Sequence, residues 1–220
     1  MRAFVRNLGE VMITLGLVLL LFVSYQLWWT NVLADRAANQ AANAITDSWK
    51  ASLKDPPAEL TKQPPEGTGF ALMTIPRLGS DVEGEPVIQG VSLEVLAEGI
   101  GHYPGTAMPG QVGNFATAAH RATHGEPLRY VDQLQVGDNV YVQTQGYWYT
   151  YKLVRTQIVS PADTWSISPQ PFDVPLASNR LLTLTTCNPR WASYERWIWW
   201  GTLSSKQPRT QGPPRMVVNG

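Results

Sequence analysis

The chain has 220 residues, enough for a membrane anchor and one domain of ordinary size but not for two large catalytic domains. Its 17 basic residues balance 17 acidic ones and no Lys/Arg block appears, so the electrostatic footprint of a nucleic-acid binder is absent and no nucleic acid is expected as a partner. With 1 cysteine, an internal disulfide is excluded.

Residues 1–10 carry Arg2 and Arg6, and from Val11 to Trp29 no charge occurs. A stretch of that length matches the ~20 residues that a helix needs to cross the hydrocarbon core. The arginines before it, the interfacial Trp28 and Trp29 at its end and the acidic Asp35 beyond place the N-terminus in the cytoplasm and everything after Thr30 outside. A cleavable signal peptide is the other reading, with Val32-Leu33-Ala34 at the cleavage point, but the apolar run exceeds the ~7 to 15 residues usual for one. On either reading the domain is exported, where a lone thiol is open to oxidation and needs a reason to be there.

Residues 30–54 are alanine-rich, with Leu33, Ala37, Ala41, Ala44, Ile45 and Trp49 near helical spacing, and predict a juxtamembrane helix continuing outward. Residues 55–69, DPPAELTKQPPEGTG, have the composition of an extended, semi-rigid spacer that holds the domain away from the bilayer. The domain itself is set at 70–207, with a tail at 208–220. Within it, FALMTI, PVIQGV, GNFATAA, NVYVQT, YWYTYKLV, LLTLTTC and RWIWWGTL read as strands separated by Gly, Pro, Asp and Asn, which predicts an all-β barrel or sandwich. Leu93 to Glu98 and Pro127 to Leu134 read as short helices.

Cys187 ends the run Leu181 to Thr186 and is followed by Asn188-Pro189, and proline cannot continue a central strand because it has no N–H to donate. His120 closes the similar run Gly113 to Ala119. A cysteine and a histidine at two strand ends suffice for acyl transfer: the imidazole takes the thiol proton, or stabilises the thiolate, and later protonates the leaving amine. An arginine near the thiol would supply forked donors to the oxyanion. Arg190 and Arg196 are the candidates. Arg196 is preferred because it opens a strand-like run, whereas Arg190 lies in a connecting loop.

His102, in the turn-like Gly101-His102-Tyr103-Pro104-Gly105, is expected to be exposed or bonded to backbone, and His124 lies in a polar loop. Neither forms a zinc spacing with Cys187, and no metal and no cofactor is expected. Trp197, Trp199 and Trp200 cannot all face a core, since alternate strand residues point to opposite faces. One face of that strand should therefore present indole to a peptide groove or a membrane surface.

GHYPGTAMPGQVGNFATAAHR, ending just after His120, and TLTTCNPRWASYERW, spanning Cys187 and Arg196, resemble the motifs of class E sortases of Gram-positive actinobacteria, and the similarity runs more loosely from Phe70 to Leu203. The resemblance implies an eight-stranded β-barrel behind an N-terminal membrane anchor, with His120, Cys187 and Arg196 as the catalytic trio. It implies a transpeptidase at the outer face of the plasma membrane that cleaves a C-terminal sorting signal of Leu-Ala-x-Thr-Gly type between Thr and Gly. The implied partners are secreted proteins bearing that signal, an amine of the cell-wall precursor, and membrane lipid around the N-terminal helix. By the same resemblance Tyr103 is a substrate contact, while Thr186, and less strongly Thr185, forms the oxyanion site or orients the peptide. Asn188, often His in class E sequences, and the bulky tryptophans after Arg196 depart from the pattern.

The rival enzymes fit less well. L,D-transpeptidases set their cysteine in Ser/Thr-His-Gly-Cys, and papain-like endopeptidases put Cys before His in the chain; neither matches Thr185-Thr186-Cys187 preceded by His120. A membrane-tethered β-domain binding a partner through its tryptophans remains as the non-enzyme alternative.

Overall fold

In a computed structural model of the chain, residues 2–50, 56–172 and 178–218 are described. Eight strands close into one barrel: β1 (Gly69–Thr74), β2 (Glu83–Gln89), β3 (Ile100–His102), β4 (Gly113–Ala118), β5 (Asn139–Gln143), β6 (Tyr147–Val159), β7 (Arg180–Asn188) and β8 (Glu195–Pro208). Around the barrel they run β1-β2-β3-β4-β7-β8-β6-β5. Two neighbouring pairs are parallel, β2 with β3 and β4 with β7, and the rest are antiparallel. These directions put the C-terminal ends of β4 and β7 and the start of β8 at one end of the barrel. The start of β1 lies at the other.

The predicted strands all form. β3 was hidden because a three-residue Ile-Gly-His strand between glycines carries no alternation to detect. Leu93–Leu96 is a helical turn capped by the Ser92 hydroxyl, which accepts from the Val95 amide. Pro127 to Leu134 holds only a 3-10 turn over Val131–Gln133.

Alternation along the strands builds the core. Leu182 and Leu184 of β7 and Trp199 of β8 point inward to meet Phe115, Met73, Val142 and Tyr151 in the main apolar cluster. The opposite, outer face of β8 carries Ile198 and Trp200, and it is not open as the tryptophan-rich pattern predicts. The β6–β7 connection folds over it: Trp165 stacks on Trp200 at 5.9 Å, Phe172 meets it edge-on at 4.9 Å, and the Trp200 indole donates to the Ser166 carbonyl at 2.8 Å. Trp200 is 0% exposed as a result.

Ahead of the barrel, α1 (Arg2–Ser24) is long and apolar enough to cross a membrane and buries none of its side chains. A single π turn over Tyr25–Trp29, with helical dihedrals at both flanks, passes it without a break into α2 (Thr30–Lys50). α2 lies along the outside of β1 and β2. Its Ile45 and Trp49 pack on Leu72, and Gly69 has no side chain because a Cβ there would meet Ile45 Cδ1 at 2.6 Å. Residues 56–68 run back along the barrel rather than away from it. The Tyr147 hydroxyl donates to Pro57, Glu59 pairs with Lys206, Leu60 joins the core, and Gln63 bonds Thr106.

Candidate active site

β4 and β7 run in parallel register from Gly113↔Arg180 to Ala118↔Thr185. Hydroxyls of β7 and β4 hold the pair together. Thr117 donates to the Thr183 carbonyl at 2.9 Å, Thr185 to the Thr117 carbonyl at 2.9 Å and Thr186 to the Ala119 carbonyl at 2.7 Å. One residue beyond these anchors the chain reaches His120 on one side and Cys187 on the other. Neighbouring strands lie ~4.8 Å apart, so the two side chains start from adjacent positions on the outer face.

Arg196 completes the group, since Cys187↔Arg196 is a direct antiparallel pair and opposite residues share a face. Its Nη1 donates to the carbonyls of Ser193 at 2.8 Å and Glu195 at 2.9 Å, which turns the guanidinium against the β7–β8 loop. Arg190 instead donates to Glu126 at 2.7 Å and lies over Trp191. Cys187, the one cysteine, is half-buried and free.

The two threonines before Cys187 separate by strand parity. Thr185 shares its outer face. Its own proton goes to Thr117, so the Tyr103 hydroxyl, 3.1 Å away, donates to Thr185 and places that ring beside the same face. Thr186 points the other way, 3% exposed and hydrogen-bonded to backbone. His102 is likewise internal: 0% exposed, in contact with the Ala107 carbonyl, Thr106 and Gln89, and packed on Phe115.

A polar network with no local signature in the chain joins the three strand ends. Arg121, next to His120, donates to Asn188 at 2.7 Å; Asn188, next to Cys187, donates to Glu195 at 2.6 Å; and Glu195 precedes Arg196. Arg121 is 8% exposed and its guanidinium covers the Trp197 ring. Each member of the trio therefore has a chain neighbour locked to the others. A second hub, Glu126, takes Asn31 of α2 on one oxygen at 2.6 Å and Arg190 of the β7–β8 loop on the other at 2.7 Å. Residues 124 to 126 all have left-handed backbone, at φ 58, 84 and 50, with only the middle one a glycine. Such a conformation persists at His124 and Glu126 only where surrounding bonds hold it.

Burial pushes the His120 imidazole below its ordinary value, and the nearby His124 ring, 5.4 Å away, adds to the effect. At neutral pH His120 is thus held neutral and able to accept a proton. His102 is pushed down to about 4 by burial, against the bond to Ala107, and takes no part in titration near pH 7. On β2, beneath α2, Glu85 is raised to about 8 by burial and by Asp35 and Asp81 nearby. Among the described residues no group of three His, Cys, Asp or Glu side chains is placed to hold a metal.

Comparison with known proteins bears on the family and the fold. The sortase domain family matches residues 73–204. Over 97% of its length the chain is 42% identical to Sortase SrtE1 of Streptomyces coelicolor, though it spans only 61% of that protein. It is 34% identical to Sortase SrtE2 of the same organism, covering 94% of this chain and 86% of that one. Among solved structures, sortase E from Streptomyces avermitilis superposes with a TM-score of 0.63 at 40% identity, covering 69% of this chain and 98% of that one. Sortase E1 from Streptomyces coelicolor, solved with a tripeptide in its active site, gives a TM-score of 0.63 at 37% identity over 69% of this chain and 98% of its own.

Proposed function

Because this chain belongs to the sortase family, we propose that it is a cysteine transpeptidase anchored by α1, with its N-terminus in the cytoplasm and its barrel outside. The observation that carries the reading is the convergence of His120, Cys187 and Arg196 at adjoining ends of β4, β7 and β8. Cys187 attacks the carbonyl of the threonine in a sorting signal while His120, its imidazole held below its ordinary value by burial, takes the thiol proton. The tetrahedral oxyanion is met by Arg196, whose guanidinium is steadied by two backbone carbonyls. His120, now protonated, gives its proton to the departing glycine amine, and a thioacyl enzyme remains. An amine of the cell-wall precursor then attacks the thioester carbonyl, His120 accepts its proton and passes it to the departing Cys187 sulfur, and the amide product leaves the regenerated thiol.

Tyr103 and Thr185 line the face on which the peptide would lie. Thr186 acts at one remove by tying β7 to the strand end that carries His120. Secreted proteins with a Leu-Ala-x-Thr-Gly signal are the proposed substrates. The tripeptide held in the active site of the Streptomyces coelicolor relative supports a peptide as the class of ligand. The test is product analysis with Leu-Ala-x-Thr-Gly and Leu-Pro-x-Thr-Gly peptides and a diglycine amine acceptor. The reading expects a new amide with threonine at the junction, formed faster from the first peptide. Hydrolysis alone, with no amide at any acceptor concentration, would contradict transpeptidation.

A further inference from the structure

α2 fixes which way the barrel faces. It rises ~1.5 Å per residue, so its 21 residues span about 30 Å along the outside of the barrel. Its far end, at Ile45 and Trp49, lies against the start of β1 and against Arg209. Its near end, at Asn31, is bonded to the active-site rim: the Asn31 side chain donates to Glu126 at 2.6 Å and accepts from the Gly125 amide at 3.2 Å. Asn31 follows Trp29, the last residue of the apolar stretch, by only ~3 Å of helix rise. The end of the barrel that holds Cys187 therefore points back toward the membrane and not away from it.

The side chains at that end suit such a position. Glu126 links Asn31 to Arg190, whose guanidinium lies 4.7 Å from the Trp191 ring, and Arg129, 3.8 Å from the same carboxylate, lies 5.2 Å from the Tyr130 ring. Trp191 is 66% exposed and Tyr194, in the same β7–β8 loop, 67%. Trp and Tyr beside arginine are the residues that settle at the headgroup level of a bilayer, where an apolar ring and a polar edge are both satisfied.

We infer that Trp191 and Tyr194 rest in the headgroup layer of the same membrane that α1 crosses, so that the active site opens at the bilayer surface. The inference rests on the reading of α1 as a membrane span. It locates the second half-reaction: an amine carried on a lipid-linked precursor would meet the thioacyl enzyme without leaving the interface. The spacing role expected for residues 55–69 is not needed, since the described part of that segment returns along the barrel.

The test uses the full chain in phosphatidylcholine–phosphatidylglycerol nanodiscs, with Cys187→Ala as background and one new cysteine at a time carrying an environment-sensitive fluorophore. Trp191→Cys reports the rim, Ser205→Cys the exposed flank of the far end, and Leu15→Cys the middle of α1. Nitroxide groups on shallow acyl carbons should quench the label at 191 several-fold more than at 205 and shift its emission to the blue. Asn31→Ala should weaken both effects by loosening the tie to Glu126. If 191 behaves like 205 while 15 is quenched, the docking is wrong and the anchor stands. If 15 is not quenched either, the anchor reading itself has failed and the docking with it. Shielding of 191 that appears only on adding a sorting peptide would assign the aromatics to the peptide and overturn the membrane contact.

Discussion

The two faces of β7 do opposite jobs with residues one position apart. Leu182, Leu184 and Thr186 look into the barrel, where the leucines fill the apolar core and the threonine ties down the end of β4. Thr183, Thr185 and Cys187 look outward onto a face that meets Asn114, Tyr103 and the partner position of Arg196. A strand pinned on its inner side leaves its outer side free to hold reactive groups at fixed spacing. Substitutions on the two faces should therefore be separable, the outer ones changing chemistry and the inner ones changing stability.

Apart from the proton-transfer pair Cys187 and His120, the largest effect on chemistry is expected at Arg196. Arg196→Lys keeps the charge but loses the fork, and kcat should fall about 100-fold or more, by the magnitude usual for an oxyanion donor. Melting temperature should barely move. Full turnover in Arg196→Lys together with a dead Arg190→Ala would reverse the assignment.

On the inner face, Leu184→Ala should cost about 2 to 5 kcal/mol in denaturant unfolding, as a buried leucine truncation usually does. The protein that stays folded should keep its kcat. A large kcat loss at unchanged stability would break the division between the faces.

Asn188→Ala tests the network behind the trio. It leaves Arg121 and Glu195 without their shared partner, at about 1 to 3 kcal/mol of stability. Because the positions of His120 and Arg196 both depend on it, kcat should drop more than KM changes, and Asn188→Gln should fail to rescue it because the longer amide cannot span the same two partners. Equal loss of stability with kcat intact would make the network merely structural.

The last effect is one of pH and concerns Glu85 near the start of β2, opposite Met73 of β1. Folded Glu85 keeps its proton up to about 8, whereas unfolded Glu85 loses it near the ordinary carboxylate value. Between those values the folded state binds more protons, so stability declines as pH rises. Glu85→Gln should therefore raise the melting temperature at pH 8 and leave it nearly unchanged at pH 4. Asp35 and Asp81, raised in the same direction mainly by burial, would leave part of the slope in place.

Much of the site was legible because its members end strands, and strand ends are marked locally: Pro189 stops β7, and small apolar runs lead into both His120 and Cys187. The barrel was legible from alternation and turn residues. Other features were written in pairings across the fold. The covering of Trp200 depends on Ser166, Trp165 and Phe172 from a connection with no regular pattern. Asn188 meets Arg121 across 67 residues, Arg190 meets Glu126 across 64 and Asn31 meets Glu126 across 95, and no local signal links residues so far apart. The same holds for the direction in which α2 runs. An amphipathic helix after a membrane span reads as an outward extension until its partner surface is known. Here that surface is β1 and β2, and the helix lies flat along them.

Intact-mass measurement of the full chain in detergent, incubated with a Leu-Ala-x-Thr-Gly peptide and no amine, tests the central claim most directly. The account predicts a mass increase equal to the peptide acylated through its threonine, carried on Cys187, absent in Cys187→Ala and discharged when an amine is added. A folded wild-type chain that never acquires the adduct, or a Cys187→Ala chain that does, would contradict it.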